Sequence, residues 1–127
     1  MAGLRLLKND SEDIGFVDAC LIAGVITFEE FKCWLFWVVE IEVDAPNYVW
    51  DLMDLKEKFD YKPLQIMGFN PVWTHSRDED DALDGIGYTR YADFISDATS
   101  RNLALEKLAD NPHIIERFRK TFPFIEI

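Results

Sequence analysis

Apolar residues recur along this chain at helical spacing. Ile14, Val17 and Leu21 stand three and four residues apart, behind Asp10 and Ser11, either of which suits a helix N-cap. Gly24 follows, where a left-handed residue would close that helix. Thr27-Phe28-Glu29-Glu30 reads as a capping box: the Thr27 hydroxyl accepts from the Glu30 amide while the Glu30 carboxylate reaches back. Ile26 and Phe31 flank it at the hydrophobic-staple positions. The helix opened there should carry Phe31, Leu35 and Val38 inward. Its Cys33-Trp34-Leu35-Phe36-Trp37-Val38-Val39 run is apolar all round, so it is either central or covered by a partner. Residues 38–43 alternate in polarity and keep strand open beside helix.

Pro46 suits the first turn of a third helix, with Val49, Leu52 and Phe59 on its inner stripe. Between Asp60 and His75 the periodicity breaks at Pro63, Gly68 and Asn70-Pro71, which predicts one long central loop. Ile66, Met67, Phe69, Val72 and Trp73 would pack that loop onto the body. Ser76-Arg77-Asp78-Glu79 is a second capping box, followed by Leu83, Ile86, Arg90/Tyr91 and Phe94 at helical spacing. Gly85 and Gly87 would kink this helix or admit a close neighbour. A short helix is expected around Leu103–Leu108. A last one starts at Asn111-Pro112, turns Ile115, Phe118 and Phe122 inward and stops at Pro123. The expected fold is mostly α: a compact bundle of five to six helices in a single domain, residues 1–127.

Length and charge narrow the function. The 127 residues suit one domain, and no repeat or Gly/Ser linker divides them. Lys and Arg number 13 against 24 Asp and Glu, a net charge of −11. Direct nucleic-acid binding by phosphate neutralisation needs clustered bases, so it is excluded, and an anionic membrane surface is disfavoured on the same ground. The apolar run from Ala19 to Phe28 falls far short of the roughly 20 residues a membrane helix needs. Asp10, Glu12, Asp13 and Asp18 interrupt any signal-peptide core. Cys20 and Cys33 cannot make a disulfide framework, which points to a reducing cytoplasm.

Candidate chemistry is sparse. Gly24–Phe31 resembles the second half of a calcium loop, but Ala19, Leu21 and Ala23 stand at its earlier ligand positions and offer no side-chain oxygen. Asp80 to Tyr91 has Asp80, Asp84 and Gly85 in place, but Ala82 where an oxygen is wanted and Tyr91 where a bidentate Glu belongs. Cys20, Cys33, His75 and His113 lack the short spacing of structural zinc. Neither histidine has a nucleophile partner in sequence, and no nucleophile elbow or phosphate loop appears. No metal, cofactor or catalytic residue is expected, and the chain is not expected to be an enzyme.

Acidity stands out instead. Residues 1–100 hold 20 acids and 8 bases, while residues 101–127 hold 4 and 5. Asp78, Glu79, Asp80, Asp81 and Asp84 place five acids in seven residues with no base. First-turn acids complement a helix dipole, which explains two or three of them. The remainder repel one another and call for an opposing basic surface. Trp73, Tyr88 and Tyr91 lie close by, and aromatic anchors beside charges are what protein interfaces favour. The expected partner-binding set is therefore Trp73, Asp78, Glu79, Asp80, Asp81, Asp84, Tyr88 and Tyr91. Trp34 and Trp37 face either the core or a homodimer partner.

Gly68-Phe69-Asn70-Pro71-Val72-Trp73-Thr74-His75, followed by Asp80-Asp81-Ala82-Leu83-Asp84-Gly85-Ile86-Gly87-Tyr88, resembles small bacterial immunity proteins. These protect cells from contact-dependent growth-inhibition toxins and related polymorphic toxins. The likeness covers the middle third of the chain. It implies a cytoplasmic protein that neutralises one cognate toxin domain. Many such toxins are nucleases, whose basic cleft an acidic inhibitor can cover. Two alternatives stand beside it: an acidic helical adaptor or regulator for another basic protein, and a small enzyme with an acid-lined pocket.

Overall fold

A computed structural model of the chain describes residues 3–127. It is 58% helical, with seven α-helices and no strands among these residues. The chain divides into two units: residues 3–19 with Thr27–Trp73, and Cys20–Ile26 with Thr74–Ile127.

The first unit begins with α1 (Glu12–Ile22), which contributes its residues as far as Ala19. Ile14, Phe16 and Val17 are fully buried. Gly15 is required by a close approach: a Cβ there would lie 2.3 Å from the Val72 carbonyl oxygen. The Ser11 hydroxyl accepts from the Val72 amide at 2.9 Å and so straps the same segment to the helix start. Residues 4–6 are tied down as well, since Tyr48 donates its hydroxyl to the Leu6 carbonyl at 2.6 Å.

The Thr27–Glu30 capping box forms as the sequence predicts and opens α2 (Phe28–Ile41). Helix continues through Ile41, so the alternation over 38–43 makes no strand, and Glu42 closes the helix by donating its amide to the Val38 carbonyl. The buried stripe is Phe31, Trp34, Leu35 and Val38, the i, i+3, i+4, i+7 set of one helix face. Each such side chain contributes roughly 1.5–3 kcal/mol by burial.

Helix α3 (Tyr48–Met53) is shorter than the periodicity suggests. It stops before Phe59, which is 76% exposed in a 3-10 turn, Lys58–Asp60, rather than on an inner stripe. The expected central loop contains α4 (Pro63–Met67). Pro63 presets its first turn, and Gly68 ends it at φ 84°. Phe69 and Trp73 beyond it are buried, while Val72 is exposed.

The second unit takes the last turn of α1 and the stop that follows. Gly24 has φ 75°, Val25 donates to the Cys20 carbonyl at 2.9 Å, and Gly24 donates to Leu21 at 3.1 Å. This paired arrangement satisfies two orphan carbonyls at the helix end. The Ser76–Glu79 box opens α5 (Arg77–Arg90), which runs as continuous helix through the stretch that resembled a second calcium loop. It packs most closely on α6 (Arg101–Asp110), which Ser100 caps through the Leu103 amide.

Gly85 permits that packing. A Cβ there would meet the Ala104 carbonyl oxygen at 2.6 Å and Leu108 Cβ at 2.9 Å. Phe94 lies beyond the end of α5, not on its stripe: its ring folds back against Tyr88, with centroids 4.9 Å apart, into the space left by Gly87. The last helix, α7 (Pro112–Thr121), buries Ile114 and Phe118, with Phe122 buried just past its end. Residues 114, 118 and 122 fall one helical turn apart, so Ile114 takes the inner position expected of Ile115, which is half-buried.

Candidate protein-binding surface

The acidic run of α5 splits between two directions. Asp81 is 6% exposed and accepts the hydroxyl of buried Thr99 at 2.7 Å. Asp84, half-buried, accepts the Ser96 hydroxyl at 2.7 Å. Burial pushes the Asp84 carboxyl above its usual range, against hydrogen bonds from Ser96 and Thr99 that act the other way. Tyr88 joins the same arrangement, donating to the Thr99 carbonyl at 2.8 Å and accepting the Ser96 amide at 3.1 Å. Three residues of α5 thus hold residues 96–99 in place. They are internal anchors rather than an outward steering face.

The remaining three acids face water but are answered within their own unit. Asp78 lies 3.4 Å from Lys107 Nζ, and Asp80 lies 3.6 Å from His75 Nε2. Glu79 meets His113 Nε2 at 2.7 Å. The Ser76 amide, with His113 second, holds the Glu79 carboxyl below its usual range. Exposed pairs of this kind contribute about 0–1 kcal/mol each; Lys107 offsets the charge of Asp78, whereas a histidine offsets a carboxylate only when protonated.

The aromatic residues of the expected set are mostly internal. Trp73 is 7% exposed, lies edge-on to Phe16 at 5.1 Å, and belongs to the first unit, whereas the α5 residues belong to the second. Tyr88 is buried. Tyr91 is half-buried beneath the Arg90 guanidinium, 4.9 Å from its ring centroid, and its hydroxyl reaches the Val25 carbonyl at 3.4 Å. Trp34 is 1% exposed and has no surface to give to a dimer, while Trp37 is half-buried.

Large apolar side chains are exposed outside this set, in both units. In the first unit Phe36 is 54% exposed, Trp50 48% and Val43 98%, with Ile41 also exposed. Between Cys33 and Leu55 the chain holds five acids, Glu40, Glu42, Asp44, Asp51 and Asp54, and no Lys, Arg or His. Glu42 accepts the Leu4 amide at 2.6 Å. The other four are exposed, and among the described residues none of them has an ion-pair partner. A moving count of bases along the sequence finds this stretch together with residues 9–31, which also hold no Lys, Arg or His; a count of acids alone finds α5.

Among the described residues no three of His, Cys, Asp and Glu gather as metal ligands, and no helix is long and apolar enough to cross a membrane. Comparison with protein-family models, with curated proteins and with solved structures finds no match.

Proposed function

We propose that this chain is a protein-binding inhibitor: a cytoplasmic immunity protein that neutralises a cognate toxin, a nuclease domain, by covering its basic cleft. The reading assigns no chemistry to the chain itself. The observation that carries it is the charge of −11 on a helical scaffold whose acids are largely exposed. A nuclease must present bases to phosphate, and an acidic protein can occupy the same field. Charge speeds the encounter and selects the partner, while buried contacts hold the complex.

The test is survival of cells making the toxin domain encoded next to this gene, with and without this protein. Restored growth and a stable complex on co-purification are expected. Killing that continues at equal expression, with no complex, overturns the reading. A stable complex with a basic protein and no protection would move the function to the adaptor alternative, which the same charge supports.

A further inference from the structure

We infer that residues 36–54 are the docking surface for a cationic protein partner, with Phe36 and Trp50 as anchors and Glu40, Asp44, Asp51 and Asp54 as the charges around them. The inference rests on the protein-binding reading above and names the surface that carries it. On α2 the buried stripe is Phe31, Trp34, Leu35 and Val38. The exposed positions Cys33, Phe36 and Glu40 follow one another at spacings of three and four and form a separate stripe. Six residues lead from α2 to α3, with Val43 and Asp44 exposed on the way. Helix α3 packs on α2 through its buried residues and leaves Trp50, Asp51 and Asp54 exposed. Residues 36–54 thus present two half-exposed aromatic rings and four acids with no base among them; the nearest base on α2, Lys32, is half-buried and donates its Nζ to the Leu55 carbonyl at 2.6 Å.

Charge decides the occupant. Phosphate backbones and anionic lipid would be repelled. A second copy docked by two-fold symmetry would set this patch against itself, four acids facing four, and like charges across an interface are costly. A basic protein surface satisfies the acids while its apolar centre buries Phe36 and Trp50. Aromatic residues ringed by polar groups are the usual composition of interface hot spots.

The test titrates the isotope-labelled full chain with a synthetic amphipathic helix of lysine and leucine, following backbone amide shifts. A glutamate and leucine helix of the same pattern is the control. Shifts concentrated in residues 36–54 are expected, with no response to the control. Affinity should fall about tenfold in Phe36→Ser/Trp50→Ser, measured where an amide spectrum unchanged away from residues 36–54 shows the variant folded. It should fall again as salt rises from about 50 to about 300 mM.

Shifts concentrated at Asp78–Asp80, equal binding by the double variant, or no shift at all would each overturn the surface. So would amide shifts that depend on protein concentration without peptide, because they would make a second copy the occupant. The survival experiment separates the two levels. If wild type protects and the double variant protects equally, the surface is wrong and the inhibitor reading stands; if wild type does not protect, that reading fails on its own.

Discussion

Residues 78–84 and residues 33–55 each hold five acids. In the first stretch Asp81 and Asp84 turn inward to hold Thr99 and Ser96, while Asp78, Glu79 and Asp80 have Lys107, His113 and His75 beside them. In the second, four of five acids face water with no ion-pair partner among the described residues, beside half-exposed Phe36 and Trp50. Density in sequence therefore measures the wrong quantity. The acids at the start of α5 are drawn into capping, internal hydrogen bonding and the pair with Lys107, so fewer of them stand alone at the surface. A sparser set, spread over residues 33–55 with no base among them, leaves four carboxylates without an ion-pair partner among the described residues.

The sharpest way to break this contrast is to stop α5 from facing inward. Gly85 lets α6 approach, and a Cβ there would overlap the Ala104 carbonyl oxygen at 2.6 Å. Gly85→Val should destabilise the chain by about 3 kcal/mol in urea denaturation, since a branched side chain must push backbone aside. A loss under about 0.5 kcal/mol, the range of an indifferent surface site, would mean that the helix pair is looser than its geometry indicates.

The next test compares one acid from each stretch. Asp81→Ala strands the buried Thr99 hydroxyl and should cost about 2 kcal/mol. Asp51→Ala removes an exposed charge and should change stability by less than about 0.5 kcal/mol. In Asp81→Ala/Thr99→Val the cost should be smaller than the sum of the two single losses, because neither partner is then left unpaired. Equal losses at Asp81 and Asp51 would erase the distinction between a consumed acid and a free one.

These contrasts explain which parts of the sequence were legible. Both capping boxes and the Gly24 stop lie within a few consecutive residues, and they form as local chemistry requires. The mostly helical class follows from them. The inward turn of Asp81 and Asp84 was not legible, because their partners sit 18 and 12 residues away in a segment with no periodicity. Trp73 reads both as packing for the central loop and as an anchor beside the acidic run; it packs on Phe16 of α1, as the first reading requires. Ile115 was one position off a face that local spacing fixes only to within a residue.

The smallest effect sharpens the comparison within α5 itself. Glu79 and Asp84 lie five residues apart, and their carboxyls are shifted in opposite directions. Glu79 sits below its usual range because the Ser76 amide and His113 favour the charged form. Its stabilisation is complete above the unfolded value and is lost as pH falls through the lower folded value. Asp84 sits above its usual range because burial disfavours the charged form. The folded chain therefore takes up that proton first, and stability from this residue rises as pH falls through the raised value. Urea midpoints between about pH 7 and about pH 3 should separate the two, since both windows lie in the carboxylate range. Glu79→Gln should lose less stability on acidification than wild type, and Asp84→Asn should lose more. If both variants moved the same way, the two acids would share one environment. The division of α5 into an outer acid that stabilises as an anion and an inner acid penalised by burial would then fail.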